Sequence, residues 1–389
     1  MPAITTILRS TALAALLSTT TTAFAAPIPE GDRVTTELGS LTVETLTQDL
    51  EHPWAVEDMG DGGLLVTERP GRLRIFRDGE LSEPVEGVPE VATTNQGGLL
   101  DVALASDFAD RRIIFLSYSK PGDGGAGTAI MRARLSDDGT RLEEAEDIFR
   151  MNRFTNSGHH FGSRIVVADD GTLFFTIGER GEGERAQDPS DHAGSVLRIN
   201  PDGTVPDDNP HADGSDGWQP EVWSIGHRNP QGADIDPETG TLYVVEHGAK
   251  GGDEVNIPEA GKNYGWPEIS YGVHYSGAKI GQGNAAEGYE QPLHYWDPSI
   301  APGGMVVYRG DEFPDWDGDL LVTALKFKLL VRLDVDPETG NVTGEERLLE
   351  NRYGRLRDIQ IASDGSLLIV TDEDEGRLLR LTRDDGEMD

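Results

Sequence analysis

The chain has 389 residues, 70 acidic side chains against 33 basic ones for a formal charge of −37, and no cysteine. Zero Cys excludes a disulfide framework, a thiolate zinc site and a cysteine nucleophile, and so acidic a surface repels phosphate backbones, which removes nucleic acid as a partner. A hydrophobic fraction of 36% with 48 Gly and 22 Pro is too apolar for disorder and rich in turn formers, and at roughly 100 to 200 residues per domain the length suits two or three domains or one large repeat fold.

Residues 1–25 read as an export signal outside the fold. Arg9 gives a positive start, Ala12 to Leu17 is a short apolar run, and Ala23-Phe24-Ala25 offers the small residues of a cleavage site. The mature chain is expected to begin near Ala26, in a periplasm or the medium. The apolar run is far below the ~20 residues of a membrane span, and no later stretch reaches that length. Only 6 of the 33 basic residues are Lys, a bias that suits a salt-adapted surface and equally plain solubility.

From there to the C-terminus a Gly or charged turn followed by an apolar, β-prone run recurs six times: Leu64 to Val66, Ile113 to Tyr118, Leu173 to Ile177, Leu242 to Val245, Leu320 to Val322 and Leu367 to Val370. The spacing is about 60 residues, which marks a repeat. A second run with Arg alternating among apolar residues follows in five: Arg72 to Phe76, Met131 to Leu135, Val196 to Ile199, Leu329 to Leu333 and Arg377 to Leu381; Glu254 to Ile257 takes its place in the other. Alternation after a turn predicts antiparallel hairpins. All-β repeats of this length predict a six-bladed β-propeller of four-stranded antiparallel blades over residues 34–385, with Leu41 to Leu46 closing the ring. The long segments 178–240 and 246–318 are expected as loops at the mouth of the central channel, where function would sit.

The residues with chemistry fall on those loops. Gln96 lies in a Gly-rich turn, Asn95 to Gly98. His159 and His160 precede one predicted strand and Glu179 follows the next, so an imidazole and a carboxylate can meet in the pairing a general base needs. Arg228 and Asn229, in Gly226 to Gly232, suit a carboxylate or carbonyl. Glu246 to Glu254 and Gly261 to Pro267 put Gly-rich turns beside carboxylates, exposing the oxygens calcium takes. With Lys326, Arg355 and Arg357, Arg228 makes four cations on loops of three repeats, a pocket for a polyanion if they converge and surface ion pairs if they do not.

In order, Asn95-Gln96-Gly97-Gly98, His160-Phe161-Gly162-Ser163-Arg164, Gly226-His227-Arg228-Asn229-Pro230-Gln231-Gly232, Asn263-Tyr264-Gly265-Trp266-Pro267, Leu325-Lys326 and Arg355-Leu356-Arg357-Asp358 resemble the soluble quinoprotein glucose and aldose sugar dehydrogenases, from about residue 40 onward. The resemblance implies pyrroloquinoline quinone and Ca2+ as cofactors, an aldose as substrate and a separate electron acceptor. It implies His160 as catalytic base with Glu179 supporting it and Arg228 beside them. Gln96, Arg228, Asn229, Lys326, Arg355 and Arg357 would contact the cofactor. The carbonyls of Gly248 and Ala249 would bind calcium, and Glu254 and Tyr264 match a second calcium site. Ala249 stands where the glucose enzyme has Pro, which a backbone ligand tolerates. His159 stands where it has an acid, and His274 falls near an expected carboxylate ligand.

Three functions are thus weighed: a quinoprotein oxidising aldoses at C1 to lactones, a calcium-dependent propeller lactonase, and a propeller that only binds a ligand. The cation cluster discriminates, since a lactonase needs a metal-bound water and has no use for a tricarboxylate pocket. The segment enters a strand, so the imidazoles of His159 and His160 are expected to point to opposite sides, with His160 facing the channel and His159 lining the substrate pocket or meeting solvent.

Overall fold

Each of the six apolar runs is the second strand of a blade, and its unbroken apolar character has a packing reason. The run is covered on both faces, so alternate side chains enter different cores. Leu65 packs with the second blade, whereas Leu64 and Val66 pack with the last. Leu321 faces the last blade while Leu320 and Val322 face the fourth. The same division gives six apolar clusters among the described residues, one at each seam between neighbouring blades.

The computed structural model describes residues 31–384. The expected export signal and residue 385 lie outside them. Six antiparallel sheets form the molecule, five of four strands and one of five. The innermost strands, Pro53–Asp58, Leu99–Leu104, Ile165–Val167, Pro230–Ile235, Pro302–Val307 and Leu356–Ile361, each neighbour the next, and the last meets the first. The molecule is the expected six-bladed propeller. Ring closure is by Gly39–Leu50, which pairs antiparallel with Gly376–Arg383 inside the last blade; Asp32–Thr36 adds a fifth strand there that the sequence pattern did not predict. One α-helical turn, Phe108–Arg111, and three short 3-10 segments are the only helix among the described residues.

The long segments differ from expectation. Besides the predicted runs, found as Ser195–Ile199 and Asp253–Asn256, residues 178–240 contain strands Val222–Ile225 and Pro230–Ile235, and 246–318 contain His294–Trp296 and Pro302–Val307. Residues 178–194, 200–221 and 257–293 remain as long excursions. The inner strands here open on Pro and Gly and the outermost are only three or four residues long; ladder bonds to a neighbour hold both in place, which composition alone does not reveal.

Five inner strands carry a register shift at their first residues, near the channel mouth: Pro53/Ala55, Leu99/Val102, Pro230/Gly232, Pro302/Met305 and Leu356/Asp358. The extra residue of a bulge escapes the strict alternation of the strand and re-aims its side chain. Trp54, Gln231 and Arg357 are such residues. In four blades a hydroxyl on the second strand steadies this region: Thr67 accepts from Ala55 N (3.0 Å), Ser117 from Asp101 N (2.8 Å), Thr176 from Arg164 N (3.1 Å) and Thr323 from Gly304 N (2.9 Å).

Below the mouth Arg164 bridges the inner strands of the second and last blades. Its guanidinium bonds Asp101 (2.8 Å) and Asp358 (2.6 Å) and lies 4.7 Å from the Trp54 ring centroid. Beyond it opens a cavity of about 370 Å³ lined by Glu57, Asp101, Asp234 and Asp358 among small apolar residues. Burial pushes the carboxyls of Glu57 to about 8 and of Asp101 and Asp234 to about 7.

Candidate active site

His160 sits where the chain turns into the third blade, Glu179 just past that blade's second strand. His160 has φ 54, a left-handed conformation rare for a side chain with a Cβ. The expected alternation of 159 and 160 therefore does not hold: the backbone is not extended there, and the two imidazoles lie at 6.0 Å in an edge-to-face arrangement. What separates them is their partners. His160 Nδ1 is hydrogen-bonded to Glu179 Oε2, and Glu179 is buried. His159 is exposed, and the Asn95 amide (3.0 Å) is the hydrogen-bond partner of its ring among the described residues.

Several groups hold that turn. Gln96 Oε1 accepts from the His160 N–H (2.7 Å), and Asn229 Oδ1 accepts from Gly162 N (3.2 Å). Arg180, fully buried, lies 3.5 Å from the Phe161 ring centroid and donates to the carbonyls of Ser157 (2.5 Å) and His159. Burial lowers its pKa to about 10. Arg180 was singled out by no motif, yet its two carbonyl bonds shape the loop that presents the base.

A carboxylate can only accept, so the Glu179 bond puts the proton of a neutral His160 on Nδ1 and the lone pair on Nε2. Burial pushes the imidazole below its ordinary value, against the opposing effect of Glu179. The result is an unprotonated base at neutral pH with its ring direction fixed. Beside it, the Glu179 N–H donates to the Arg228 carbonyl (3.0 Å), which joins the third and fourth blades at the site.

The cations are brought together in part. Arg228 Nη1 donates to the carbonyls of His247 (3.2 Å) and Gly248, with the guanidinium 5.1 Å from the Trp266 ring centroid. Arg357 donates to Gln231 Oε1 (2.6 Å) and shares Asp372 with Arg355, each 3.7 Å away. Burial lowers the Arg357 pKa to about 10 although Asp372 opposes it, with Arg355, Arg69 and Arg164 adding repulsion. Lys326 is exposed, its Nζ 5.0 Å from the Phe327 ring centroid, and forms no ion pair among the described residues. Three unheralded residues belong here: Asp372, Arg69 and His247. His247 donates from Nε2 to the Pro302 carbonyl (2.6 Å), and burial with neighbouring Arg357 lowers its pKa to about 3.

Several buried N–H groups have no protein partner: Nε of Arg69, Arg228 and Arg357, Nδ2 of Asn229 and Nε1 of Trp266. All are donors, and leaving a buried donor unpaired costs about 1 to 3 kcal/mol each. An anionic, acceptor-rich ligand is the chemistry that would satisfy them.

Residues 50–380 match the family described as Glucose / Sorbosone dehydrogenase. The chain belongs to that family. Over 348 residues it is 44% identical to aldose sugar dehydrogenase YliI of Escherichia coli, covering 88% of this chain and 93% of that protein. A crystal structure of a glucose dehydrogenase shares 46% identity, with a TM-score of 0.85 over 87% of this chain and 99% of its own. The PQQ-bound form of an aldose sugar dehydrogenase from Streptomyces coelicolor superposes with a TM-score of 0.72 at 26% identity, over 88% and 98% of the two chains. The protein is thus an oxidoreductase of a propeller family whose members oxidise sugars.

In this dehydrogenase the donors matched to calcium have distinct environments. The Gly248 carbonyl already accepts from Arg228 and keeps one lone pair. Tyr264 donates its hydroxyl to the Ile257 carbonyl and accepts from Glu259 N (3.0 Å), while its backbone carbonyl accepts no hydrogen bond among the described residues and is open to a cation. Glu254 is the best candidate ligand: burial, then repulsion from Glu246, raises its pKa to about 8, and the adjacent Asn256 Oδ1 has no donor. His274 lies in an exposed turn.

Proposed function

We propose that this dehydrogenase oxidises aldoses at C1 to lactones using pyrroloquinoline quinone and calcium, and hands the electrons to a separate acceptor. The observation that carries the reading is a desolvated imidazole, oriented by a buried carboxylate, beside guanidinium and amide donors that lack partners. His160 Nε2 takes the proton of the anomeric hydroxyl as hydride leaves C1, and Glu179 stabilises the imidazolium so formed. Arg228, Asn229 and Arg357 hold and orient the cofactor, with Arg355 and Lys326 at its more exposed edge. Gln96 keeps the base in place through its backbone, and His159, at the rim, meets the sugar. When bound, the quinone supplies the hydride acceptor and calcium, on the carbonyls of Gly248 and Ala249, the polarising charge; Glu254 and the Tyr264 carbonyl would take a second calcium. A lactonase reading has no use for these cations and their unpaired N–H groups.

Cofactor-free protein given calcium and quinone is expected to bind about one quinone per chain and to gain dye-linked activity with aldoses. Arg228→Ala is expected to weaken binding by about 1.5 to 3 kcal/mol, the usual contribution of a charge-assisted contact. Calorimetry showing no calcium-dependent quinone uptake by the parent protein would overturn the reading.

We also propose that the enzyme works outside the cytoplasm, on the strength of Arg9, the apolar run and Ala23-Phe24-Ala25. Mass spectrometry of protein from its host is expected to show a start near Ala26, and an intact Met1 on cytoplasmic protein would refute export.

A further inference from the structure

Arg69 follows the second strand of the first blade, Leu64–Glu68, and Asp372 follows that of the last, Leu367–Thr371, so the two face each other across the seam where the ring closes. Asp372 Oδ1 is bonded to His52 Nδ1 (2.8 Å) and lies 3.4 Å from Arg69 Nη2; its Oδ2 lies 3.7 Å from both Arg355 and Arg357. Three guanidiniums thus share one carboxylate, and none of them has a second ion pair among the described residues. The three ion-pair distances are longer than good hydrogen bonds, and Nε of Arg69 and of Arg357 are buried without partners. These groups are held near one another without being consumed by one another.

Another nitrogen of the Arg69 guanidinium meets the turn on which the two imidazoles rest. Nη1 donates to the Asn95 carbonyl (2.8 Å), and the Arg69 carbonyl accepts from Leu99 N (3.1 Å), so both ends of the turn 95–98 are pinned to this one residue. Gly98 has its Cα so near that carbonyl that a Cβ would come within 2.2 Å of the oxygen. On this turn stand Asn95, whose amide meets His159, and Gln96, which carries the His160 N–H.

We propose that Arg69 is a positioning residue that ties the two halves of the site together: it adds a third positive charge to the Arg355 and Arg357 pocket and clamps the Asn95–Gln96 turn, on which both imidazoles rest, to the same carboxylate. The inference rests on the cofactor reading above and goes beyond it in giving one residue outside every recognised motif a double role. Arg69→Gln loses the charge. Arg69→Lys keeps the charge but, with a single ammonium, does not reach both Asp372 and Asn95.

The test is titration of calcium-loaded, quinone-free protein with pyrroloquinoline quinone by calorimetry, together with steady-state kinetics on an aldose. Arg69→Gln is expected to raise the quinone Kd about tenfold or more. Arg69→Lys is expected to stay within about threefold of the parent Kd while raising the sugar KM about tenfold. Parent-like quinone affinity in Arg69→Gln, with Arg228→Ala weakened, would overturn this proposal and leave the cofactor reading standing; parent-like affinity in both would overturn the two together. If Arg69→Gln does not fold, Arg69→Lys decides, since an unchanged sugar KM there overturns the clamp and a raised KM at unchanged quinone Kd supports it.

Discussion

His160→Ala is expected to lower turnover of the quinone-loaded enzyme by about 10² to 10⁴, the usual contribution of a positioned general base, while quinone affinity stays near that of the parent. The separation follows from geometry: His160 is tied to Glu179, whereas the unpaired donors that suit the cofactor belong to Arg69, Arg228, Asn229, Trp266 and Arg357. His159→Ala, which removes an exposed ring hydrogen-bonded to Asn95, is expected to change sugar preference and KM and to spare kcat. The pH profile adds a second, independent readout. Because burial holds the His160 pKa below its ordinary 6.5 and Glu179 pulls it up, the acid limb of kcat lies below pH 6.5 in the parent. Glu179→Gln keeps a hydrogen-bond acceptor but loses the charge, so that limb moves to still lower pH as the plateau falls. An inactive His159→Ala beside an active His160→Ala would reverse the assignment, and an acid limb moving upward in Glu179→Gln would deny Glu179 its role.

The blades were legible because their signal is local and repeated. A second strand covered on both faces must read as an apolar run, and six such runs a blade apart leave few alternatives to a propeller. The short outer strands were not, since Val222–Ile225 and His294–Trp296 are held by ladders rather than by pattern. At the site the motifs led to His160, Glu179 and Arg228, whose neighbourhood the structure reproduces, but motifs are blind to partners distant along the chain. Arg69 and Asp372 are 303 residues apart and meet only because the ring closes. A signal for them was nonetheless present: Thr67-Glu68-Arg69, Gly178-Glu179-Arg180, Val245-Glu246-His247 and Val370-Thr371-Asp372 are equivalent ends of the repeated strand, and all deliver polar groups to the mouth. Lys326 shows the opposite limit. Its position after the fifth such strand suggested a cofactor contact, but nothing in the sequence shows that its ammonium lies exposed over Phe327.

Arg164→Met is expected to destabilise the folded chain by about 3 to 5 kcal/mol at pH 8, the usual consequence of removing one partner from a buried ion cluster. Arg164 is the one guanidinium bonded to both Asp101 and Asp358 in the channel, and it stands beside Glu57 and Asp234 in the same cavity wall. The deficit should depend on pH in a definite direction. Asp101 already has its pKa raised by burial to about 7 with Arg164 opposing the rise, so without Arg164 it climbs further. A carboxyl whose folded pKa exceeds its unfolded value binds a proton more readily when folded, so its destabilising effect is full above the folded pKa and fades as pH falls toward the unfolded value near 3.8. The gap between Arg164→Met and the parent, read from urea midpoints, should therefore be largest at pH 8 and shrink toward pH 5. A gap of equal size at both pH values would mean that the loss is only of packing against Trp54, 4.7 Å from the guanidinium, and that the charge of Arg164 is not what stabilises the channel. The same variant should also loosen the mouth, because Arg357 lies 5.7 Å from the same Trp54 ring. Weaker quinone binding by Arg164→Met at pH 8, partly recovered at pH 5.5, would connect the buried acids of the channel to the cation pocket above them.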